Sequence, residues 1–207
     1  TDLVFERARG FIKAHADDPF FCFLPITVPH ANNEAGKEGM EVPDYGEYTG
    51  KEWRDPEKGY AAMVTNIDAE VGSILELLDE LGLEEDTLVL FTSDNGSHSE
   101  GGYNPNFFDS NGPLRGNKRS LHDGGIRVPL IARWPGKVPA GVVTDHVSYF
   151  GDFFETAAEL AGAETSEGLD SISLLPELFG NPVEQRDHGH LYWEFHEWEG
   201  AEAVRFG

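Results

Sequence analysis

The chain has 207 residues, enough for one domain with a sizeable core, and 39% of them are hydrophobic, as is typical of globular proteins. It carries 38 Asp and Glu against 15 Lys and Arg, and this net charge of −23 argues against binding to nucleic acid, which needs a basic surface. No stretch approaches the roughly 18 apolar residues of a membrane span.

The N-terminal part predicts a helix followed by a strand. Asp2–Ala14 places apolar residues at helical spacing and therefore predicts a helix. Phe20–Val28 is a continuous apolar run, the form of a strand that is covered on both faces in a parallel sheet. The single cysteine, Cys22, lies within this run and has no partner for an intrachain disulfide, so we expect a buried small apolar residue.

The next two segments differ sharply in pattern. Residues 31–56 are rich in glycine, proline and charge and show no periodicity, which predicts a long surface loop. Glu57–Leu81 carries a single apolar stripe and is followed by Gly82. This pattern predicts a long amphipathic helix that ends at a glycine.

Helix and strand patterns alternate through the rest of the chain. The expected strands are Thr87–Ser93 and Val128–Arg133, and the expected helices are Asp152–Leu160 and Leu174–Phe179. The connections are long enough for parallel crossovers. The alternation therefore predicts an α/β fold with a mostly parallel sheet flanked by helices.

The composition changes at residue 181. Aromatic and histidine residues crowd the segment from His188 to Trp198. We therefore expect one domain over residues 1–180 and the start of a smaller, truncated subdomain over residues 181–207. The crowded segment, which includes His196, fits either a wall that contacts a substrate or the surface aromatics of an interface.

An acidic turn follows the strand predicted at Thr87–Ser93. Asp94 and Asn95 precede a glycine and offer a carboxylate and an amide oxygen, the ligand types that Ca²⁺ and Mg²⁺ prefer. Ligand sites in α/β sheets gather beyond the carboxyl ends of strands, where His30 and His98 also fall. An ordinary turn has the same Asp-Asn-Gly pattern, and two ligands are too few for calcium, so the others must come from elsewhere.

A basic loop follows at Gly112–Pro129, in a chain that is otherwise strongly acidic. Its glycines allow the backbone to approach a ligand closely, Lys118 can offer a point charge to a sulfate or phosphate oxygen, and Arg115 can offer a forked guanidinium. His30 is a candidate donor to an anionic oxygen or a leaving group, and His98 is a candidate for the pocket wall. The alternative is a solvated loop whose cations pair with surface acids.

Five segments, taken in order, resemble the second half of a type I sulfatase, a member of the alkaline-phosphatase-like superfamily. The most specific of them joins TLVLFTSDNG, which starts at Thr87, to GPLRGNKRSLHDGGIRVPLIARWPG, which starts at Gly112. The other four are FFCFLPITVPH, YAAMVTNIDAEVGSILELLDELGL, DFFETAAELAG and YWEFHEWEG.

The resemblance implies a fold of the alkaline-phosphatase/sulfatase type, incomplete at both ends of this chain. It implies that Asp94 and Asn95 are calcium ligands and that His30 and Lys118 are catalytic residues that contact the sulfate oxygens; His98, Arg115 and His196 are further candidates for substrate contacts. The implied reaction is hydrolysis of a small aryl or carbohydrate sulfate by a formylglycine nucleophile. The implied setting is periplasmic or extracellular.

One departure from the family pattern concerns the nucleophile. The family makes formylglycine within a C/S-x-P/A-x-R motif, whereas Cys22 is followed by Phe-Leu-Pro-Ile. The nucleophile and the remaining calcium ligands are therefore expected in a missing N-terminal half of the domain, and this chain alone is expected to be inactive. Two alternatives stay open: a phosphoesterase or phosphonate hydrolase of the same superfamily, and a non-catalytic anion-binding pseudoenzyme.

Overall fold

The structure, a computed structural model, describes residues 1–197 and 200–206. Its contacts group the chain into two compact units: Thr1–Thr87 with Ser93–Pro129 form unit 1, and Leu88–Thr92 with Leu130–Gly207 form unit 2. The domain boundary expected at residue 180 stays a prediction.

Unit 1 is built on two helices that bury their apolar stripes. Helix α1 spans Asp2–Ala14 and helix α2 spans Asp55–Glu80, so both predicted helices are confirmed to within two residues at each end. Arg9 of α1 forms an ion pair with Glu70 of α2. Gly82 ends α2 with a φ of +69°, a conformation that glycine adopts without strain. The buried apolar residues are Phe5, Ala8 and Ile12 of α1 and Met63, Ile67, Ile74, Leu77 and Leu78 of α2.

The segment between residues 31 and 56, expected to be a long surface loop, also contributes a residue to the core. The segment contains two short 3₁₀ helices, Asn33–Glu38 and Gly46–Tyr48. Met40 is only 3% exposed and packs in a core cluster with residues of α2. A side chain at Gly59 would start 2.2 Å from the Met40 carbonyl oxygen, so α2 carries a glycine where the loop backbone crosses it.

Phe20–Val28 is not a strand in this structure. No strand among the described residues lies alongside it, and its backbone hydrogen bonds are local. Phe21 and Phe23 are 76% and 68% exposed, and Cys22 is half-buried rather than fully buried. An apolar run becomes a strand only where a neighbouring strand accepts its hydrogen bonds, which this sequence pattern does not specify.

The strands of unit 2 pair in two antiparallel ladders. Strand β1, Val89–Thr92, pairs with β2, Leu130–Arg133. Strand β3, Leu191–Phe195, pairs with β4, Ala201–Arg205. The expected mostly parallel sheet is therefore not confirmed, although strands occur at both predicted places before residue 134. Trp198, which belongs to the aromatic segment singled out above, lies outside the described residues.

Besides a 3₁₀ turn at Glu84–Asp86, three further α-helices follow α2 in the described part of the chain. They are α3 at Asp123–Ile126, α4 at Asp152–Ala161 and α5 at Leu175–Leu178, and α4 and α5 confirm the helices expected there. Asp152 at the start of α4 is fully buried and accepts hydrogen bonds from the backbone N–H groups of Tyr149 and Ile172. Within residues 1–197 and 200–206, no helix has the length and hydrophobicity that crossing a bilayer requires.

Candidate functional site

The Asp94–Asn95 turn is docked on the basic loop by backbone hydrogen bonds. The Gly96 N–H donates to the Gly125 carbonyl at 2.9 Å, and the Lys118 N–H donates to the Ser97 carbonyl at 2.7 Å. The two backbones lie so close that a side chain at Gly96 would start 2.0 Å from the Gly124 carbonyl oxygen. This contact brings the acidic turn and Lys118 to the same part of unit 1.

Lys118 meets His30 although 88 residues separate them in sequence. The Lys118 ammonium donates to Nε2 of His30 at 2.7 Å, and Nδ1 of His30 donates to the Ala31 carbonyl at 2.6 Å. A ring nitrogen that accepts a hydrogen bond carries no proton, so the arrangement describes a neutral imidazole with its proton on Nδ1. The Lys118 side chain is 19% exposed and thus largely shielded from water.

Glu100 completes this group and was missed by sequence reasoning. One of its carboxylate oxygens lies 3.0 Å from Nζ of Lys118 and 3.4 Å from Nε2 of His30, and the other lies 3.2 Å from the Arg119 guanidinium. We call His30, Glu100, Lys118 and Arg119 the Lys118 cluster. The only sequence signal for Glu100 was an acid shortly after the Asp-Asn-Gly turn, in a chain where acids are common.

The Lys118 cluster lowers the pKa of Glu100. Burial of the carboxyl group raises its pKa, but the hydrogen bond and charge of Lys118, together with the charge of Arg119 and that of His30 when it is protonated, outweigh burial. The carboxylate form of Glu100 is therefore stabilised by folding.

This shift predicts how the stability of the chain depends on pH. A carboxyl group whose pKa is lower in the folded than in the unfolded state stabilises the fold above its ordinary pKa of about 4.3, and the contribution is lost as pH falls through the folded value. Glu100→Gln should therefore lower the free energy of unfolding at pH 7 and have a smaller effect at pH 3. Urea unfolding followed by circular dichroism measures both values, and an equal loss at the two pH values would contradict the assignment.

His98 is a buried residue that hydrogen-bonds the segments next to the Lys118 cluster. It is 7% exposed, its Nε2–H donates to the Pro29 carbonyl at 3.0 Å, and its Nδ1 accepts from the Glu100 N–H at 3.1 Å. Burial lowers its pKa, although the Pro29 carbonyl and the Glu100 charge oppose this effect. Both ring nitrogens are engaged, so the expected ligand contact by His98 has no free nitrogen to make it. His98 instead holds the segments that carry His30 and Glu100.

Asp94 and Asn95 provide the donor chemistry of a cation site but only part of a ligand set. The Asn95 amide N–H donates to the Asp94 carboxylate, so ligation of a shared cation by both residues would require the amide to turn its oxygen inward. Among residues 1–197 and 200–206, no group of three or more His, Cys, Asp or Glu is arranged to hold a metal ion. Calcium takes roughly six to eight oxygens, so further ligands are needed.

The two remaining candidates, Arg115 and His196, are exposed residues. Arg115 is exposed on the basic loop, and its carbonyl accepts the Gly124 N–H at 2.8 Å. His196 belongs to unit 2, where its side chain is 85% exposed and lies 3.3 Å from the Glu194 carboxylate.

Comparisons with known proteins all point to the same protein family. The N-acetylgalactosamine-6-sulfatase of Canis lupus familiaris is 35% identical over 190 residues, which cover 90% of this chain and 34% of that protein. The steryl-sulfatase of Rattus norvegicus is 35% identical over 196 residues, covering 93% and 32%. The chain thus spans about a third of the length of these curated relatives.

A solved structure extends the likeness to the fold. Ps i-CgsB in complex with k-i-k-neocarrahexaose has a TM-score of 0.82 at 29% identity, over 99% of this chain and 44% of that one. This likeness supports the coarser expectation of an alkaline-phosphatase-like fold. The family model described as Sulfatase matches residues 1–163, which is most of the sequence. This chain therefore belongs to the sulfatase family.

Proposed function

We propose that this chain is part of an enzyme that hydrolyses sulfate esters, and that His30 and Lys118 contact the sulfate oxygens. The observation that carries the proposal is the 2.7 Å contact between the Lys118 ammonium and the His30 imidazole, beside a turn that offers Asp94 and Asn95. A cationic group that is largely shielded from water, as the Lys118 ammonium is, is suited to stabilise charge that develops on a transferring sulfuryl group.

The roles of the two side chains follow from their hydrogen-bonding capacity. An ammonium has three N–H donors, and Lys118 uses one on His30 and one on Glu100. The third donor has no partner among the described residues and can reach a sulfate oxygen. His30 faces the same ammonium through Nε2. Once protonated, His30 can no longer accept from Lys118, and its Nε2–H would then donate to a sulfate oxygen or to the leaving oxygen.

We infer that the ion bound at Asp94 and Asn95 is Ca²⁺. A carboxylate and an amide oxygen match its preference for hard oxygen ligands, and the turn lies against the loop that carries Lys118. When bound, the ion would supply further positive charge to the sulfate oxygens. The formylglycine nucleophile belongs to the proposal for the full-length protein, since Cys22 lacks the motif that the family modifies.

The substrate class we propose is a small sulfated molecule, an aryl or carbohydrate sulfate. The relatives named above act, by their names, on an N-acetylgalactosamine-6-sulfate group or a steryl sulfate. Both groups present the same singly charged sulfate ester to a site that would differ only in the surrounding contacts.

The full-length protein tests the proposal directly. We expect it to hydrolyse 4-nitrophenyl sulfate, to lose that activity after treatment with a calcium chelator, and to regain it with Ca²⁺ but not with Zn²⁺. Asp94→Ala should lower the affinity for Ca²⁺ by at least tenfold in a calorimetric titration, because it removes a charged ligand. Faster hydrolysis of a phosphate or phosphonate ester with Zn²⁺ would favour the phosphoesterase alternative, and anion binding without turnover would favour the pseudoenzyme.

A further inference from the structure

Glu100 places a negative charge inside a site that should bind an anion. The carboxylate contacts both Lys118 and Arg119, one on each oxygen, and its side chain is 18% exposed. With His30 neutral, two cations and one anion leave the Lys118 cluster with a single positive charge. Replacing Glu100 by a neutral residue would double that charge.

Resting on the proposed function, we propose that Glu100 is a specificity-determining residue that biases this site toward singly charged sulfate esters and against doubly charged oxyanions. Doubly charged oxyanions include inorganic sulfate, the product of the reaction, and phosphate monoesters. A sulfate ester keeps one negative charge at neutral pH, whereas a phosphate monoester carries about −1.5 to −2. The two classes are alike in shape, so charge is the property on which a site can separate them.

The geometry allows Glu100 to act while an anion is bound. Lys118 engages Glu100 and His30 with two of its three N–H donors, so an incoming oxygen can take the third without displacing the carboxylate. Such an oxyanion would lie about 6 Å or less from the Glu100 carboxylate, given a 3.0 Å contact to Lys118 and a second hydrogen bond of about 2.8 Å.

The size of the effect follows from Coulomb's law. Each unit of ligand charge is repelled by Glu100, so a dianion is repelled about twice as strongly as a monoanion. At about 6 Å and an effective dielectric constant between those of a protein surface and water, the second charge weakens binding on the order of tenfold. Removing the carboxylate charge should therefore strengthen dianion binding on the order of tenfold more than monoanion binding.

Two further features bear on the role of Glu100. Arg119 has a φ of +76°, a left-handed backbone conformation that is unfavourable for a residue with a side chain, and its guanidinium contacts Glu100 in this conformation. The pKa of Glu100 is lowered by its cationic neighbours, so the group stays ionised at neutral pH. The carboxylate is thus charged and held on both oxygens where the proposal requires it.

The test compares two anions of nearly the same size on the full-length protein. Isothermal titration calorimetry would measure the dissociation constants of inorganic sulfate, a dianion, and methyl sulfate, a monoanion, for the wild type and for Glu100→Gln. We expect the ratio of the two constants to shift by on the order of tenfold in favour of inorganic sulfate in Glu100→Gln. In parallel, the ratio of kcat/KM for 4-nitrophenyl phosphate to that for 4-nitrophenyl sulfate should rise.

Two matched variants control for loss of structure. Glu100→Asp keeps the charge and should keep the wild-type ratio of dissociation constants, even if its shorter side chain weakens the binding of both anions. Glu70→Gln removes the carboxylate of a different partly buried ion pair, with Arg9, and should leave the ratio unchanged.

The outcomes separate this inference from the proposed function. Suppose that the wild type hydrolyses sulfate esters but Glu100→Gln changes the dissociation constants of both anions by the same factor. Glu100 then only orients Lys118, and the charge-selection role is wrong. A ratio that shifts in favour of methyl sulfate in Glu100→Gln would also overturn it. If the wild type binds neither anion and hydrolyses no sulfate ester, the anion site itself is absent and both proposals fall.

Discussion

Lys118→Ala in the full-length protein is expected to lower kcat/KM for 4-nitrophenyl sulfate by a factor of about 10² to 10³, the usual cost of losing one donor to a developing oxyanion. The change removes the ammonium that contacts His30 at 2.7 Å and Glu100 at 3.0 Å. It also leaves the Glu100 carboxylate facing the anion with less compensating charge. We therefore expect the larger part of the loss in kcat, where transition-state charge is stabilised.

The control for this prediction is Lys137→Ala. Lys137 is exposed in unit 2 and has no role in the proposed mechanism, so its loss should leave kcat/KM within about twofold of the wild type. Steady-state kinetics of both variants, with circular dichroism to confirm folding, provides the measurement. A Lys118→Ala enzyme that keeps wild-type kcat would remove Lys118 from the proposed mechanism.

Gly124→Ala should destabilise the protein by about 3 kcal/mol, near the upper end of ordinary overpacking costs. A side chain there would start 2.2 Å from the Gly116 carbonyl oxygen and 2.7 Å from that of Arg115. Both obstacles are backbone atoms, so they cannot rotate away as a flexible side chain could. Relief of the clash would separate the Gly124 N–H from the Arg115 carbonyl and disturb the neighbouring hydrogen bond from the Gly96 N–H to the Gly125 carbonyl.

Gly72→Ala is the matched control, because Gly72 lies inside α2 with nothing within 4 Å of a side chain built there. An alanine in a helix interior is more favourable than glycine, so this variant should gain about 0.5–1 kcal/mol. Chemical unfolding of the two variants at pH 7 would measure both changes in the free energy of unfolding, a loss for Gly124→Ala and a gain for Gly72→Ala. Equal stabilities would mean that the tight crossing at Gly124 does not constrain the basic loop.

Predictability from sequence was greatest where a local pattern specifies the structure. Helices α1 and α2 were predicted within two residues because the 3.6-residue repeat of apolar side chains belongs to the helix itself. Strand β1 was placed by its apolar run and the turn that follows it. The basic loop stood out because its charge opposes that of the rest of the chain.

Strand pairing was the feature of the fold that the sequence predicted least well. The run at Phe20–Val28 has the composition of a buried strand, but no strand among the described residues pairs with it. Strands β1 and β2 pair antiparallel, although the alternation of elements suggested parallel neighbours. Hydrogen bonds in a ladder join residues that are distant in sequence, so their direction does not appear in any local repeat.

The candidate site, too, was predictable from the sequence only in part. Sequence by itself determined the residue types, since His30, the Asp94–Asn95 turn and Lys118 each stand out by their chemistry and by their position in a short motif. Only the tertiary structure decided that Glu100 joins His30 and Lys118, and that His98 lies beneath them with both nitrogens engaged. The physical reason is that charges and hydrogen bonds act over a few ångströms in space, whereas a sequence records only the distance along the chain.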